Sequence, residues 1–171
     1  MICPKCEIEM KKVPGDYHFT ESGLDNAYLT DSLFECSECG MDLALFPNPE
    51  EFTQAVVHFL IHHQKERLNG DQILFLRKAM GLTGAALAEF LDKPRGEISR
   101  WENGRAFISP LLDMRLRVEA ARRLLSPQEA REAELAVADT LLHTYKETTA
   151  SQQITLRRSW NVVVPELAAT A

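Results

Sequence analysis

Four cysteines, Cys3, Cys6, Cys36 and Cys39, are the residues whose type and spacing most directly specify chemistry in this chain. They form two C-x-x-C pairs separated by 29 residues. A two-residue gap lets the backbone turn back so that both sulfurs of a pair reach one ion, and two pairs supply the four thiolates of a closed tetrahedral shell. The expected cofactor is one structural Zn2+ per chain, held for shape with no open position for catalysis. A module of this size has little core of its own, so metal binding would supply folding free energy on the order of 10 kcal/mol. The same ligands can hold iron or an iron–sulfur cluster. A redox dithiol is the third reading, but a thioredoxin-like C-x-x-C belongs beside a βαβ pattern, and none is present.

A second constellation is the run from Leu82 to Gly104, whose layout is that of a helix-turn-helix. Leu87 and the small Ala88 would pack where two helices cross, and Asp92 falls at the turn, where a residue tolerant of left-handed backbone is wanted. Ile98 and Trp101, three apart, anchor the second helix on one face. That leaves Arg95, Gly96, Glu97, Ser99 and Arg100 on its outer side and N-terminal end, where a recognition helix presents side chains to the major groove. The arginine fork can bond guanine O6 and N7 together, so Arg100 is the first candidate base reader and Arg95 the second. Thr83, Asn103 and Arg105 complete the candidate DNA contacts. His58 and His62 are one helical turn apart and could share a metal, with His63 beside them, but nothing near them in sequence supplies further ligands; a polar helix edge is the competing reading. His18 and His143 carry no hypothesis. Trp160 reads equally as an interface anchor or a locally buried aromatic.

The elements that must position these residues follow from periodicity. Residues 1–47 hold all four cysteines and short candidate strands at 16–20 and 27–36, without helical spacing of apolar residues. They read as a zinc-binding domain. Asn48-Pro49-Glu50-Glu51 is a capping-box start, so a connecting helix should run from there to about residue 67 and stop at Asn69-Gly70, within a linking segment 48–70. Residues 71–125 read as the helix-turn-helix domain, with Asp71 and Thr83 as helix caps, Gly81 and Gly104 as stops, and a further helix opened by Ser109-Pro110. Ser126-Pro127-Gln128-Glu129 begins a polar helix to about residue 144, and 154–164 is either a strand or a loose tail. Residues 126–171 are a candidate dimerisation or partner surface. The fold class is therefore α+β: a small β-rich metal-binding module followed by an all-α helix-turn-helix domain with a C-terminal extension.

At 171 residues and 45% hydrophobic content the chain can bury a core without disulfides. No apolar run is long enough to span a bilayer, and no export signal opens the sequence, so a reducing cytoplasm is the expected compartment. The formal charge of −6 argues against a phosphate-binding protein until it is resolved along the chain. Residues 1–50 carry 3 basic and 10 acidic side chains, whereas 71–124 carry 10 basic and 7 acidic, so DNA should be met in the latter. Arg115, Arg117, Arg122 and Arg123 read as solvated charges on a helix surface, and Glu102 as a support for the turn that follows it. Without a nucleophile elbow, a phosphate loop or paired carboxylates, an enzyme is not expected.

The run Ile98-Ser99-Arg100-Trp101-Glu102-Asn103-Gly104 resembles the Cro and phage-repressor (XRE) class of helix-turn-helix. Together with the double C-x-x-C module, Gly23-Leu24-Asp25-Asn26-Ala27-Tyr28-Leu29 and Ile108-Ser109-Pro110, it resembles the MqsA-type (YgiT-type zinc-finger) antitoxin and regulator family over about residues 1–124. The resemblance implies metal ligation by the four cysteines, base contact by Arg100, dimerisation through the C-terminal domain and repression of the protein's own promoter. In toxin–antitoxin members the partner is a ribonuclease toxin. Where MqsA-type proteins can carry a base-reading Asn, this chain has Gly96, and Gly84 replaces a common Gln. The expected protein is a repressor that binds a palindromic double-stranded operator as a homodimer, away from any membrane, as the antitoxin of a type II pair. A stand-alone regulator and a zinc-stabilised adaptor are the alternatives.

Overall fold

The computed structural model describes residues 1–64, 66–142, 154–156 and 162–163, with side chains through residue 137 apart from position 65. His143 and Trp160 lie outside the described residues. The architecture is α+β, with seven short strands and six α-helices among the described residues. Strands β1 (Lys11–Lys12), β4 (Leu33–Glu35) and β5 (Asp42–Ala44) form an antiparallel sheet in the order β1-β4-β5, with Lys11 opposite Glu35 and Phe34 opposite Leu43. Strands β2 (Asp16–His18) and β3 (Ala27–Thr30) pair antiparallel and belong to a different sheet. The single strand expected over 27–36 is thus split. Asp31 adopts left-handed backbone (φ 60°) and the buried Ser32 hydroxyl donates to the Leu29 carbonyl, which turns the chain from one sheet into the other.

Two short strands are described beyond α6. β6 (Ile154–Leu156) pairs in parallel with β3, Ala27 opposite Ile154 and Leu29 opposite Leu156, and β7 (Val162–Val163) adds antiparallel to β6. The second sheet therefore joins residues more than a hundred positions apart. Ala27 and Leu29, fully buried, share one apolar core with α1 (Pro49–His62) and the helices that follow. Edge-to-face contacts carry aromatic packing from the β2 region through α1 into α2: Phe19 to Phe52 at 5.0 Å and Phe52 to Phe75 at 5.9 Å between ring centroids.

Helix α1 is capped by Asn48, whose side chain accepts from the Glu50 N–H, and opens on Pro49. It ends at His62, earlier than the expected residue 67, and the reason lies in α5 (Pro110–Leu124). Arg117 is 5% exposed, which corrects its reading as a solvated surface charge. Its guanidinium donates to the carbonyls of Leu60, Gln64 (2.8 Å) and Glu66 (2.6 Å), and pairs with the fully buried Asp113 at 3.1 Å. These donors replace the N–H groups that a further helical turn would offer, so the chain can leave the helix with its carbonyls satisfied. Burial pushes the Asp113 carboxyl above its ordinary range, while Arg117 and a hydrogen bond from the Leu68 backbone act against that rise. Beside this cluster the buried amides of Gln64 and Gln72 exchange two hydrogen bonds, at 2.7 and 2.8 Å.

Helix α2 (Gly70–Ala79) starts one residue before the expected cap. Asn69, not Asp71, is its N-cap, and Asn69 with Gln72 forms a reciprocal capping box. Helices α3 (Gly84–Leu91) and α4 (Arg95–Glu102) meet across Asp92, which has the left-handed backbone (φ 53°) expected at the turn. Helix α5 begins at Pro110, and α6 (Pro127–Leu142) packs against both α1 and α5. Ser126 and Glu129 bond at the α6 start, as the sequence pattern requires. Among the described residues no helix is long and apolar enough to cross a membrane.

Candidate metal centre and nucleic-acid interface

Two nearly equivalent turns bring the four cysteines together. In the first, the Glu7 N–H donates to the Cys3 carbonyl (3.0 Å) and the Cys3 N–H to the Ile8 carbonyl (2.9 Å). In the second, the Gly40 N–H donates to the Cys36 carbonyl (2.9 Å) and the Cys36 N–H to the Met41 carbonyl (3.0 Å). Both turns need left-handed backbone one residue after the second cysteine, φ 57° at Glu7 and φ 64° at Gly40. The sequence offers glycine at one of these positions only.

The four sulfurs all lie within 4.8 Å of one another, and Cys3 Sγ is 3.7 Å from Cys39 Sγ. A tetrahedron with Zn–S bonds of about 2.3 Å has edges of about 3.8 Å, so the thiols are spaced for one such ion. Cys3 and Cys36 are buried, Cys6 and Cys39 half-buried, and all four are free of disulfides. Met10 and Phe34 are the other buried side chains of the apolar cluster around the cysteines, a core too small to hold two knuckles in register by apolar packing alone. As bare thiols the groups are mismatched. The hydrogen bond with Cys39, then burial, push the Cys6 thiol up to about 12. Backbone N–H groups of Cys39 and Glu38 draw Cys36 down to about 7. N–H groups aimed at a sulfur stabilise a thiolate, and a bound cation would let the remaining sulfurs ionise beside it. The cluster can hold a metal ion, and its donors and spacing are compatible with zinc.

The second site is built on α3 and α4. Thr83 caps α3 by accepting from the Ala86 N–H (3.1 Å) and is itself exposed. Ile98 and Trp101 are buried at 1% and 2%, which fixes the roll of α4. Arg95, Gly96, Ser99 and Arg100 are consequently exposed on the opposite side, with Glu97 half-buried at the edge. Thr83, Arg95 and Ser99 line one open groove, with Arg77 and Glu102 at its side. Arg100 lies one helical turn beyond Gly96, where an added Cβ would meet nothing within 4 Å. This outer face of α4 is therefore unobstructed among the described residues. Asn103 is exposed, and its amide donates to the Ser99 carbonyl at 2.7 Å, closing the end of α4. Arg105 is exposed just past Gly104, whose φ of 65° ends the helix.

The residues that hold α4 in place were not visible as a set in the sequence. Arg77 donates to Glu102 Oε1 (2.5 Å) and Oε2 (3.4 Å), and to the Leu82 carbonyl (2.9 Å). This partly buried fork ties the end of α4 to α2 and to the turn before α3. Glu102 thus supports α4 through an ion pair with α2 instead of through the turn that follows it. Gly70 makes the same junction close: a Cβ there would sit 2.6 Å from the Glu102 carbonyl oxygen and 2.8 Å from that of Trp101. Arg77 and Glu102 lie 25 positions apart with no sequence pattern linking them.

Comparison with known proteins agrees with this geometry. A family model described as Helix-turn-helix matches residues 73–110, which span all but the start of α2, then α3, α4 and the approach to α5. The match marks this segment as an XRE-type helix-turn-helix, a class of module found in DNA-binding transcription regulators. No curated protein and no solved structure matches the chain.

Proposed function

We propose that the chain is a sequence-specific transcriptional repressor, acting as a homodimer on a palindromic double-stranded operator. The observation that carries this reading is the outward face of α4, where Arg95, Ser99 and Arg100 stand exposed on a helix fixed from behind by Ile98, Trp101 and the Arg77–Glu102 pair. Phosphate contacts would supply affinity and the arginine forks base choice. Two copies of α4 about 34 Å apart would read successive major grooves. An apolar groove between α3, α5 and α6 supports the dimer, lined by Phe90, Leu111, Met114, Val118 and Val137 and rimmed by Arg115, Arg122, Glu119 and Glu134. A rim of both signs is self-complementary, as a two-fold interface requires.

In this reading Cys3, Cys6, Cys36 and Cys39 hold one structural Zn2+, in a cytoplasm that keeps thiols reduced. The acidic first 50 residues, at net −7, support the finer reading that the protein is the antitoxin of a type II pair, with that module covering a basic ribonuclease. The test is selection of bound DNA from a random pool at a stated salt concentration, followed by Arg100→Ala. An enriched palindrome is expected, and the variant should lose about 1–3 kcal/mol of specific binding with relaxed preference at one base pair. Equal loss on every sequence would reduce Arg100 to a phosphate contact. Co-purification with a small basic protein encoded beside it tests the antitoxin role, and the absence of such a neighbour would leave a stand-alone regulator.

A further inference from the structure

Five of the chain's eight glycines take positive φ, and a sixth, Gly70, is pressed against α4. Gly84 and Gly96 have neither reason to be glycine. Both lie in helical backbone, Gly84 as the first residue of α3 and Gly96 as the second of α4, and a Cβ at either would meet nothing within 4 Å. Alanine would suit both helices better, so packing among the described residues does not account for the missing side chains. Their placement points outward instead. Gly84 lines the groove that also holds Thr83, Arg95 and Ser99, and Gly96 is exposed on the α4 face that carries Arg95, Ser99 and Arg100. We infer that Gly84 and Gly96 are contact positions at which DNA meets the main chain of α3 and α4 more closely than a side chain would permit, a backbone phosphate at Gly84 and a base-pair edge at Gly96.

The inference rests on the repressor reading and adds to it what sets the depth of docking. In a helix-turn-helix the first helix crosses the DNA backbone and the start of the second enters the major groove. Glycine is the residue that lets a ligand come close to the main chain. Pro94 precedes α4 without a side-chain cap hydrogen bond, so no capping group overlies the turn that carries Gly96. The consequence falls on the arginines. The forks of Arg95 and Arg100 would bond guanine at about 2.9 Å, and a methyl group at position 96 would hold the base edges off by about 1 Å, beyond the range of a hydrogen bond. Position 84 acts on affinity alone, because phosphates carry no sequence information. Gly70 thus sets the spacing of α2 and α4 inside the protein, whereas Gly84 and Gly96 set the spacing of the protein and its DNA.

The experiment uses the full chain with its cysteine cluster loaded with zinc, and two DNA probes: the palindrome enriched from the random pool and a scrambled duplex of the same length and composition. Gly84→Ala, Gly96→Ala and Gly96→Leu are compared with the parent by thermal denaturation and by fluorescence anisotropy at one salt concentration. Each alanine variant should melt with the parent or up to about 4 °C above it. Gly84→Ala should bind both probes about fivefold more weakly or worse. Gly96→Ala should lose about fivefold or more on the palindrome only, and Gly96→Leu about tenfold further. Alanine variants that bind both probes as the parent does, or that bind more weakly because they also melt lower, would overturn the inference and leave the repressor reading standing. Equal loss on both probes at position 96 would overturn the base-edge contact. A parent that enriches no palindrome would remove the repressor reading and this inference with it.

Discussion

Replacing Arg117 with methionine keeps an unbranched apolar stem out to about the position of Nε and removes the guanidinium. Asp113, with a fully buried side chain, loses the guanidinium that pairs with it at 3.1 Å, and the carbonyls of Leu60, Gln64 and Glu66 lose the donors that let α1 end where it does. Breaking a buried pair from one side costs about 3–5 kcal/mol, because the remaining charge stays desolvated and unpaired. Against a typical domain stability of about 5–15 kcal/mol that is a large fraction. With a urea dependence of roughly 2 kcal/mol per M, the helical unfolding midpoint should fall by about 1.5–2.5 M. Removing both partners, as Asp113→Leu with Arg117→Met, relieves the unpaired charge, so the double variant should be more stable than the sum of the single losses by about 2 kcal/mol. The pH dependence has a definite sign. Burial already raises the Asp113 pKa, and loss of Arg117 raises it further, so the deficit of Arg117→Met should shrink as pH falls through that raised value. Urea titrations followed at 222 nm measure all three. A cost below about 1 kcal/mol for Arg117→Met, or strict additivity in the double variant, would refute the claim that this guanidinium holds the end of α1.

Gly70→Ala sets two effects against each other. Alanine in a helix gains up to about 1 kcal/mol, but here the Cβ meets backbone at 2.6 Å, so a net loss of about 1–3 kcal/mol and weaker operator binding are expected. Thermal denaturation and a DNA-binding titration would show it; a stabilised variant would mean that α2 and α4 sit further apart. With the cysteine cluster loaded with zinc, removal of the ion by a chelator should expose four reactive thiols and disorder β1, β4 and β5 while leaving helical dichroism nearly unchanged, because the helices share a separate core. Gly40→Ala forces a Cβ into left-handed backbone and should lower metal affinity by about 1 kcal/mol, roughly fivefold, whereas Glu7→Gly should preserve or raise it. A competition assay with a chromogenic chelator reads both.

Local chemistry was legible before any coordinates. The spacing of Cys3, Cys6, Cys36 and Cys39 implied one tetrahedral centre, because the reach of a C-x-x-C turn is a property of a few consecutive residues. Asn48, Thr83, Asp92 and Gly104 marked helix ends for the same reason, and Ile98 with Trp101 fixed which side of α4 would face out. The burial of Arg117 was not legible, since an i,i+4 pair with Asp113 is usually a surface feature; only the end of α1 arriving beside α5 turns it inward. The approach of Gly70 to α4, the Arg77–Glu102 fork and the pairing of β6 with β3 join segments 25 to about 130 positions apart. No periodicity encodes such contacts. The sequence by itself determined which groups could bind metal or DNA, because those depend on residue type and short-range spacing; the tertiary structure decided which charges are buried, which helix is held and which distant groups meet, because these follow from packing of the whole chain.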